Sequence, residues 1–171
     1  MSAILQAADI YLAKANFEDW SSMYQNIWSR PESNRYMLWE LTTDEEAAKL
    51  RIERTIEYQK THNTYLVYEK LSGQAIGFAG LEIIVPCVFQ ETGIALGPDY
   101  MGKGYGKQIL RLLLKYAASL GGKEFFYSTR AANTASVALA LSCGFTYHHS
   151  LPKQDPRNGE SYELVYYRKT L

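Results

Sequence analysis

The sequence predicts a single α/β domain over residues 1–171, built on a mixed, mostly antiparallel sheet of seven strands with about four flanking helices. Three observations support this fold class. The composition, with 47% hydrophobic and 21% charged residues, is that of an ordinary globular protein. Strand-like segments form a meander first and alternate with helical segments later, which favours a mixed sheet with helices on both faces. The length of 171 residues suits one domain.

The N-terminal part is predicted to form one strand and two helices. The strand covers residues 9–15, and Asn16 caps the first helix. The apolar residues of this helix recur at the spacing of one face, and they are Trp20, Met23, Tyr24 and Ile27. Thr43 and Glu46 match a capping box, so the second helix is expected to open there and to run to about residue 61.

The rest of the chain is predicted to contain six strands and two helices. A meander comes first, with strands over 64–68, 75–84 and 89–96. Helical periodicity then extends from Gln108 to Leu120, and the following pair of glycines ends this helix as a left-handed cap. The order closes with a strand over 124–129, a helix over 133–142, strands over 146–150 and 162–168, and a loop over 151–160.

Composition and charge exclude several classes of function. The 18 basic and 18 acidic residues give a net charge of zero, which disfavours a nucleic-acid partner. No apolar run approaches the ~18 residues of a membrane span, and no signal-peptide pattern is present, so a cytoplasmic location is expected. Cys87 and Cys143 lack metal-type spacing, and neighbouring His148 and His149 point to opposite faces of a strand. No metal site is therefore expected.

A glycine-rich turn between the strand over 89–96 and the long helix is the strongest functional signal. Backbone N–H groups at such a turn can approach a phosphate closely, and the helix dipole adds to the attraction. The turn does not fit a dinucleotide-binding motif, because Lys107 occupies the third glycine position. It does not fit a P-loop either, because Met101 and Gln108 replace the opening glycine and the closing hydroxyl residue.

The turn instead resembles the GNAT N-acetyltransferase superfamily, whose signature here is [QR]-x-x-G-x-[GA]. Gly104 and Gly106 fit this signature, whereas Met101 stands where the family usually has Gln or Arg. A second motif of the family, N-x-x-[AS] followed by G-F, is matched by Asn133, Ser136 and the pair at 144–145. The order of elements also agrees. The resemblance implies the acyl-CoA N-acyltransferase fold, and the chain looks most like the branch of ribosomal-protein N-terminal acetyltransferases.

This resemblance implies transfer of an acetyl group from acetyl-CoA to a primary amine, by direct attack without an acyl-enzyme. A protein N-terminus and a small-molecule amine both remain open as the acceptor, and a homodimer is allowed. A non-catalytic acyl-CoA-binding or regulatory domain on the same fold is the alternative. It draws support from Met101 and from Ala140, which stands where many relatives have a tyrosine that protonates the departing thiolate. An enzyme that uses a longer acyl-CoA is a third possibility.

The resemblance also assigns residues to acetyl-CoA. The loop that should hold the pyrophosphate comprises Met101, Gly102, Lys103, Gly104, Tyr105, Gly106 and Lys107. The backbone of Ile94, Ala95 and Leu96 is expected to pair with the pantetheine arm, which also contacts Asn133 and Ser136. The N–H of Leu96 is expected to face the thioester oxygen and stabilise the oxyanion.

The remaining expectations concern proton transfer and the acceptor. Glu91 is the predicted general base, with Glu40 and Glu82 as rivals. Ser136, or alternatively Tyr105, is expected to replace the missing acid. An aromatic wall for the acceptor is predicted from Trp28, Tyr36 and Trp39.

Overall fold

The structure, a computed structural model, describes residues 5–171. The strands are β1 (Leu5–Gln6), β2 (Ile10–Ala13), β3 (Thr64–Glu69), β4 (Ala75–Val85), β5 (Val88–Leu96), β6 (Glu124–Arg130), β7 (Thr146–Gln154) and β8 (Ser161–Thr170). The helices are α1 (Trp20–Met23), α2 (Pro31–Asn34), α3 (Glu45–Gln59), α4 (Tyr105–Ser119) and α5 (Thr134–Ser142).

All eight strands form one sheet in the order β1-β2-β3-β4-β5-β6-β8-β7. Only β5 and β6 pair in parallel, because α4 connects them as a crossover, and the other neighbours are antiparallel. The predicted mixed sheet is thus confirmed, but the predicted strand number of seven is wrong. The extra strand, β1, has two residues that pair with Tyr11 and Leu12, and so short a segment has no periodicity to detect.

The parallel strands β5 and β6 separate at the centre of the sheet. Their register covers only residues 88–90 against 124–126. Beyond this point β5 stays paired with β4 as far as Leu96, and β6 stays paired with β8 as far as Arg130. The facing edges of β5 and β6 are therefore unpaired in their C-terminal halves, which leaves an opening in the sheet.

Helix α4 packs on one face of the sheet and points its N-terminus toward this opening. Its buried stripe includes Ile109, Leu110 and Leu113, which are all fully buried in the larger core cluster. The helix begins at Tyr105, one turn before the predicted start, because its left-handed N-cap is Gly104. The predicted glycine cap at the other end is confirmed, since Gly121 has a φ of 83° and the N–H of Gly122 bonds the carbonyl of Ala117.

The opposite face of the sheet carries α1, α2 and α3 around a second core. Its centre includes the fully buried Met23, Ile27 and Ile52. The first helical segment is irregular, since α1 is preceded by a 3₁₀ turn over Phe17–Asp19 and followed by a π-helical stretch over Tyr24–Trp28. The predicted start of α3 is corrected by one residue. Asp44, and not Thr43, is the N-cap, and its carboxylate accepts the N–H of Ala47.

None of the helices within residues 5–171 has the length and apolarity needed to cross a membrane. Strand β7 runs to Gln154, so the first four residues of the predicted loop over 151–160 are strand and only residues 155–160 connect β7 to β8.

Candidate active site

The open edge of β5 presents backbone groups at alternate residues. The N–H of Gly97 donates to the carbonyl of Ile76 on β4. In an antiparallel ladder the next residue turns its N–H and C=O the other way, so Leu96 and Ile94 direct theirs to the opening. Ala95 faces β4, and its carbonyl oxygen lies so close to Gly77 that a Cβ there would collide with it. The geometry thus fits the backbone roles predicted for Ile94 and Leu96 but not the one for Ala95.

The glycine-rich turn forms a cradle of free backbone donors. The first backbone hydrogen bond of α4 runs from the N–H of Gln108 to the carbonyl of Gly104, at 3.3 Å. Within the described chain, the N–H groups of residues 102–107 meet no acceptor. Gly102 and Gly104 have φ values of 75° and 79°, and a side chain on either would meet nothing within 4 Å. These N–H groups can therefore converge on a ligand with several anionic oxygens.

Side chains at the start of α4 fix this turn to the rest of the molecule. The Tyr105 hydroxyl donates to Oε1 of the buried Glu69, at 2.8 Å. Gln108 accepts the N–H of Asp9 and donates to its carboxylate, at 3.0 and 2.7 Å. Hydrogen bonds from Ser72 and Tyr105 lower the pKa of Glu69, which keeps the carboxylate charged. Tyr105 is thus engaged as an anchor, and its backbone N–H is the part left free for a ligand.

The other predicted residues of the turn contribute in different ways. A Cβ on Gly106 would lie 3.3 Å from Cδ2 of Leu139, so this glycine allows α4 and α5 to approach closely. The Met101 side chain is 52% exposed. Lys103 is exposed, and its Nζ lies 4.0 Å from the Glu69 carboxylate. Lys107 is half-buried, on the first turn of α4.

Glu91 lies just beyond the last residue of β5 that pairs with β6, where the two strands begin to separate. Its side chain reaches across to β6, where Oε1 accepts the N–H and the hydroxyl of Ser128 at 3.0 and 3.3 Å. The residue is only 6% exposed. Burial raises the pKa of Glu91 to about 7, although hydrogen bonds from Ser128 and Gly93 oppose the rise. The rivals Glu40 and Glu82 are exposed.

Helix α5 begins beside the opening, where two of the predicted residues meet. The Asn133 side-chain oxygen accepts the N–H of Ser136 at 3.2 Å, so Asn133 is a helix cap. Its amide nitrogen has no hydrogen-bond partner in the part of the chain that the structure describes. The Ser136 hydroxyl lies 2.6 Å from that of Tyr127. Sequence reasoning missed Tyr127, although the alternation of buried residues along β6 points it to the same side as Phe125.

A cavity of about 280 Å³ lies on the other face of the sheet, between strands β3 to β5 and helices α1 and α3. Thr92 and Gly93 of β5 line it, so it adjoins the opening. Trp28 and Trp39, two of the residues predicted to form an acceptor wall, also line it, and the guanidinium of Arg51 lies over both of their rings. Tyr36 does not line this cavity and packs instead near the guanidinium of Arg35.

No cluster of three or more metal-ligating side chains occurs within residues 5–171. His148 and His149 instead contact each other, with their Nδ1 atoms 2.7 Å apart. The site thus combines a cradle of free N–H groups at residues 102–107, an open strand edge and a separate cavity. Comparison with known proteins identifies the family. The model of the family described as "Acetyltransferase (GNAT) domain" matches residues 9–146. The chain belongs to the GNAT acetyltransferase family.

Relatives within the GNAT family are distant in sequence but close in structure. The chain is 33% identical over 92 residues to the N-alpha-acetyltransferase RimI of Mycobacterium tuberculosis, which covers 52% of this chain and 56% of that relative. The match therefore spans about half of the relative's length. A GNAT-family acetyltransferase from Bacillus anthracis superposes with a TM-score of 0.83 at 18% identity, covering 98% of each chain. The microcin C7 self-immunity acetyltransferase MccE superposes with a TM-score of 0.80 at 23% identity, covering 96% of this chain and 94% of that one.

The region matched by the GNAT profile contains every residue predicted to contact acetyl-CoA. The turn at 101–107, the open edge of β5 and the start of α5 all fall within residues 9–146. The cavity residues Trp28, Trp39 and Arg51 fall within it too. The loop between β7 and β8, which contacts the segment carrying Trp39, lies outside it. The solved structures, at 18% and 23% identity, establish the GNAT fold alone.

Proposed function

We propose that this GNAT domain transfers the acetyl group of acetyl-CoA to a primary amine by direct attack, without an acyl-enzyme intermediate. One observation carries the proposal. The free N–H groups of residues 102–107 lie at the start of α4, and this start adjoins the unpaired edge of β5. A diphosphate joined to an extended thioester arm fits this combination, because the cradle can hold the phosphates while the arm lies along the strand.

The donor half of the site works through backbone groups. The cradle binds the pyrophosphate, and the pantetheine arm occupies the gap between β5 and β6 as an added strand would. The free amide nitrogen of Asn133 donates to this arm. The N–H of Leu96 points to the thioester carbonyl and stabilises the oxyanion that forms during attack. The MccE structure is a complex with acetyl-CoA and AMP, which supports acetyl-CoA as the donor here.

Glu91 supplies the base in this proposal. An amine attacks only as the free base, so the incoming ammonium must lose a proton. With a pKa of about 7, the Glu91 carboxylate is about half ionised at neutral pH and suits this task. Because Glu91 is buried and its Oε1 is bound by Ser128, it accepts the proton through a water molecule in the opening.

Ser136 acts as the acid in this proposal. It replaces the tyrosine that many relatives have at the position of the buried Ala140. The Ser136 hydroxyl, paired with the Tyr127 hydroxyl at 2.6 Å, passes a proton to the departing thiolate and takes one from the phenol in the same step, and the phenol regains its proton from solvent. Burial raises the pKa of Tyr127, which keeps the phenol protonated. Since a thiol has a pKa of about 8.5, the thiolate is a fair leaving group and this step needs little assistance.

To test the proposal, the release of free thiol from acetyl-CoA is measured with a panel of amines. The panel contains small primary amines and peptides that have free N-termini. N-acetylated products should appear in mass spectra in a one-to-one ratio to free CoA. A competition among acyl-CoA donors of increasing chain length tests the choice of acetyl. If CoA stabilises the protein but no amine releases thiol, the non-catalytic alternative replaces this proposal. The homodimer stays a prediction, which the mass measured in solution tests.

A further inference from the structure

Arg51 of α3 occupies an unusual position in the cavity beside β5. Its guanidinium carbon lies 4.7 Å from the ring centroids of both Trp28 and Trp39, so the two indoles enclose it. Nη1 donates to the carbonyl of Glu40 at 3.3 Å and to the hydroxyl of Thr42 at 3.0 Å. The other nitrogens of the guanidinium have no acceptor among residues 5–171.

The charge of Arg51 is not neutralised within the described residues. No carboxylate forms a salt bridge with it there, although most other arginines of the buried regions have such a partner. Burial lowers the pKa of Arg51 to about 10, so the side chain is still a cation at neutral pH. A half-buried cation without a neighbouring anion carries an uncompensated desolvation penalty. A bound anion would offset this penalty.

Two residues that line the same cavity each carry a buried polar atom without a partner among the described residues. The indole nitrogen of Trp39 and the hydroxyl of Thr64 are buried and form no hydrogen bond in the described structure. Buried polar atoms are nearly always satisfied in native proteins, so each such exception calls for an explanation. Trp39 Nε1 can only donate, and the free guanidinium nitrogens of Arg51 can only donate. The cavity therefore offers the free guanidinium nitrogens and the positive charge of Arg51 to a ligand rich in oxygen acceptors.

The segment that carries Trp39 is held in place from outside α3. Nη1 of Arg157 donates to the carbonyls of Asn34 and Trp39 at 3.2 and 3.3 Å. Arg157 is itself held by Asp155, which is 1% exposed and also pairs with Arg130. The hydrogen bonds from both arginines keep the pKa of Asp155 well below its usual value. The indole of Trp39 is thus preorganised around Arg51, which lowers the ordering cost of binding a ligand there.

We propose that this cavity binds an anionic oxygen group of the acceptor, with Arg51 as its ion partner and the rings of Trp28 and Trp39 beside it. The acceptors are then amines that also carry a carboxylate or a phosphate, with the anion among the indoles and the amine directed to β5. This inference rests on the proposed transferase function for the identity of the ligand as an acceptor. The anion site itself is independent of turnover.

A binding experiment without turnover tests the site directly. Three amines of similar length serve as probes: 4-aminobutyrate with a carboxylate, 3-aminopropyl phosphate, and neutral 4-aminobutan-1-ol. Each is titrated into the full chain in the presence of CoA, with tryptophan fluorescence and the melting temperature as readouts. We expect at least one anionic amine to bind about tenfold or more tighter than the alcohol, because a charge-assisted hydrogen bond contributes about 1.5–3 kcal/mol. The two anionic probes distinguish a carboxylate from a phosphate.

Variants on α3 assign the preference to Arg51. Arg51→Gln should bind the anionic and neutral amines with similar affinity, and Arg51→Lys should keep part of the preference because it keeps the charge. Arg54→Gln is the matched control, since Arg54 is an exposed arginine on the same helix. Its binding preference should equal that of the unmodified protein.

The outcomes separate this inference from the proposed function. Equal affinities of the unmodified protein for anionic and neutral probes overturn the anion site, whether or not the Arg51 variants fold. A preference retained in full by Arg51→Gln also overturns it. Thiol release from acetyl-CoA, measured with the same three amines, reports on transfer separately. Anion preference without thiol release from these amines or from the wider panel supports the anion site and contradicts the transferase, whereas equal turnover of all three amines supports the transferase and contradicts the anion site.

Discussion

The two proposed binding sites, one on each side of β5, are built from different groups. On the side of α4, the proposed donor site consists of backbone groups: free N–H groups at residues 102–107 and the open edge at Ile94 and Leu96. On the side of α3, the cavity consists of side chains, with Trp28, Trp39 and Arg51 at its centre. A backbone site depends on conformation, whereas a side-chain site depends on residue identity.

This difference explains how the chain can depart from its family without losing the donor site. Met101 replaces the usual Gln or Arg of the signature, but its side chain is 52% exposed and forms no part of the cradle of N–H groups. The left-handed conformations of Gly102 and Gly104 are what the turn requires. The acceptor side has no such tolerance, because replacing Arg51 or either indole changes the chemistry of the cavity directly.

The largest effect is expected from a side chain placed in the cradle. Gly104→Glu adds a negative charge beside the phosphates and strains a residue whose φ is 79°, so CoA should no longer raise the melting temperature. Gly121→Glu is the matched control. Gly121 has a φ of 83° at the other end of the same helix, and a Cβ added there would meet nothing within 4 Å. It should lose similar stability but keep the full CoA shift, and equal CoA shifts in both variants would place the phosphates elsewhere.

The next largest effect, a loss of catalytic rate, is expected from Glu91→Gln, because this variant removes the proposed base at the point where the two sides of β5 meet. General-base catalysis contributes about 10²–10⁴-fold, so kcat should fall within that range while the CoA-induced melting shift is retained. The activity of the unmodified protein should rise as the pH increases through about 7, because the base acts when ionised. That rise should be absent from the variant. Glu82→Gln, at an exposed position on β4, should keep the kcat of the unmodified protein and shift the rise only slightly to lower pH, because the Glu82 charge contributes a little to the raised pKa of Glu91. A kcat for Glu91→Gln within a fewfold of normal would remove Glu91 as the base.

The raised pKa of Glu91 also predicts how the stability of the protein changes with pH. Its pKa is about 7 when folded and near 4.5 when unfolded, so between these values the folded state holds a proton that the unfolded state has lost. The free energy of unfolding should therefore fall as the pH rises through this window, and stay level above it. At about 1.4 kcal/mol per pKa unit the total is roughly 3 kcal/mol. Chemical denaturation of Glu91→Gln at several pH values should lack this decrease.

A smaller and more selective effect is expected from Trp39→Ala. It removes one wall of the acceptor cavity, so the KM for the amine should rise about tenfold, as for other buried aromatic contacts, while the KM for acetyl-CoA stays the same. Trp20→Ala is the control, because Trp20 packs against the same core cluster but does not line the cavity. An unchanged acceptor KM in Trp39→Ala would remove this residue from the wall.

The contrast between backbone and side-chain sites also decides what the sequence can reveal. The cradle was predictable because glycines at alternate positions before a helix are a local signal, and so was the cap formed by Gly121. Asp44 was missed as a cap because the neighbouring Thr43 satisfies the same pattern with Glu46. Arg51 was missed because its partners, Trp28 and Trp39, lie far from it along the chain. Only the folded structure shows that a residue of α3 lies against two indoles and forms no salt bridge within residues 5–171.

The smallest effect is expected from the lysine on the first turn of α4, and it tests how far the donor site depends on backbone groups alone. Lys107 is half-buried near the cradle, and an ion pair in contact with solvent contributes about 0.2–1 kcal/mol. The Kd of CoA for Lys107→Ala should therefore rise about two- to fivefold in low salt, and less in high salt, because ions screen an exposed charge. Lys115→Ala, at an exposed position further along α4, should leave the Kd unchanged. A loss of about a hundredfold or more in Lys107→Ala would contradict the comparison, because a side chain and not the backbone would then dominate phosphate binding.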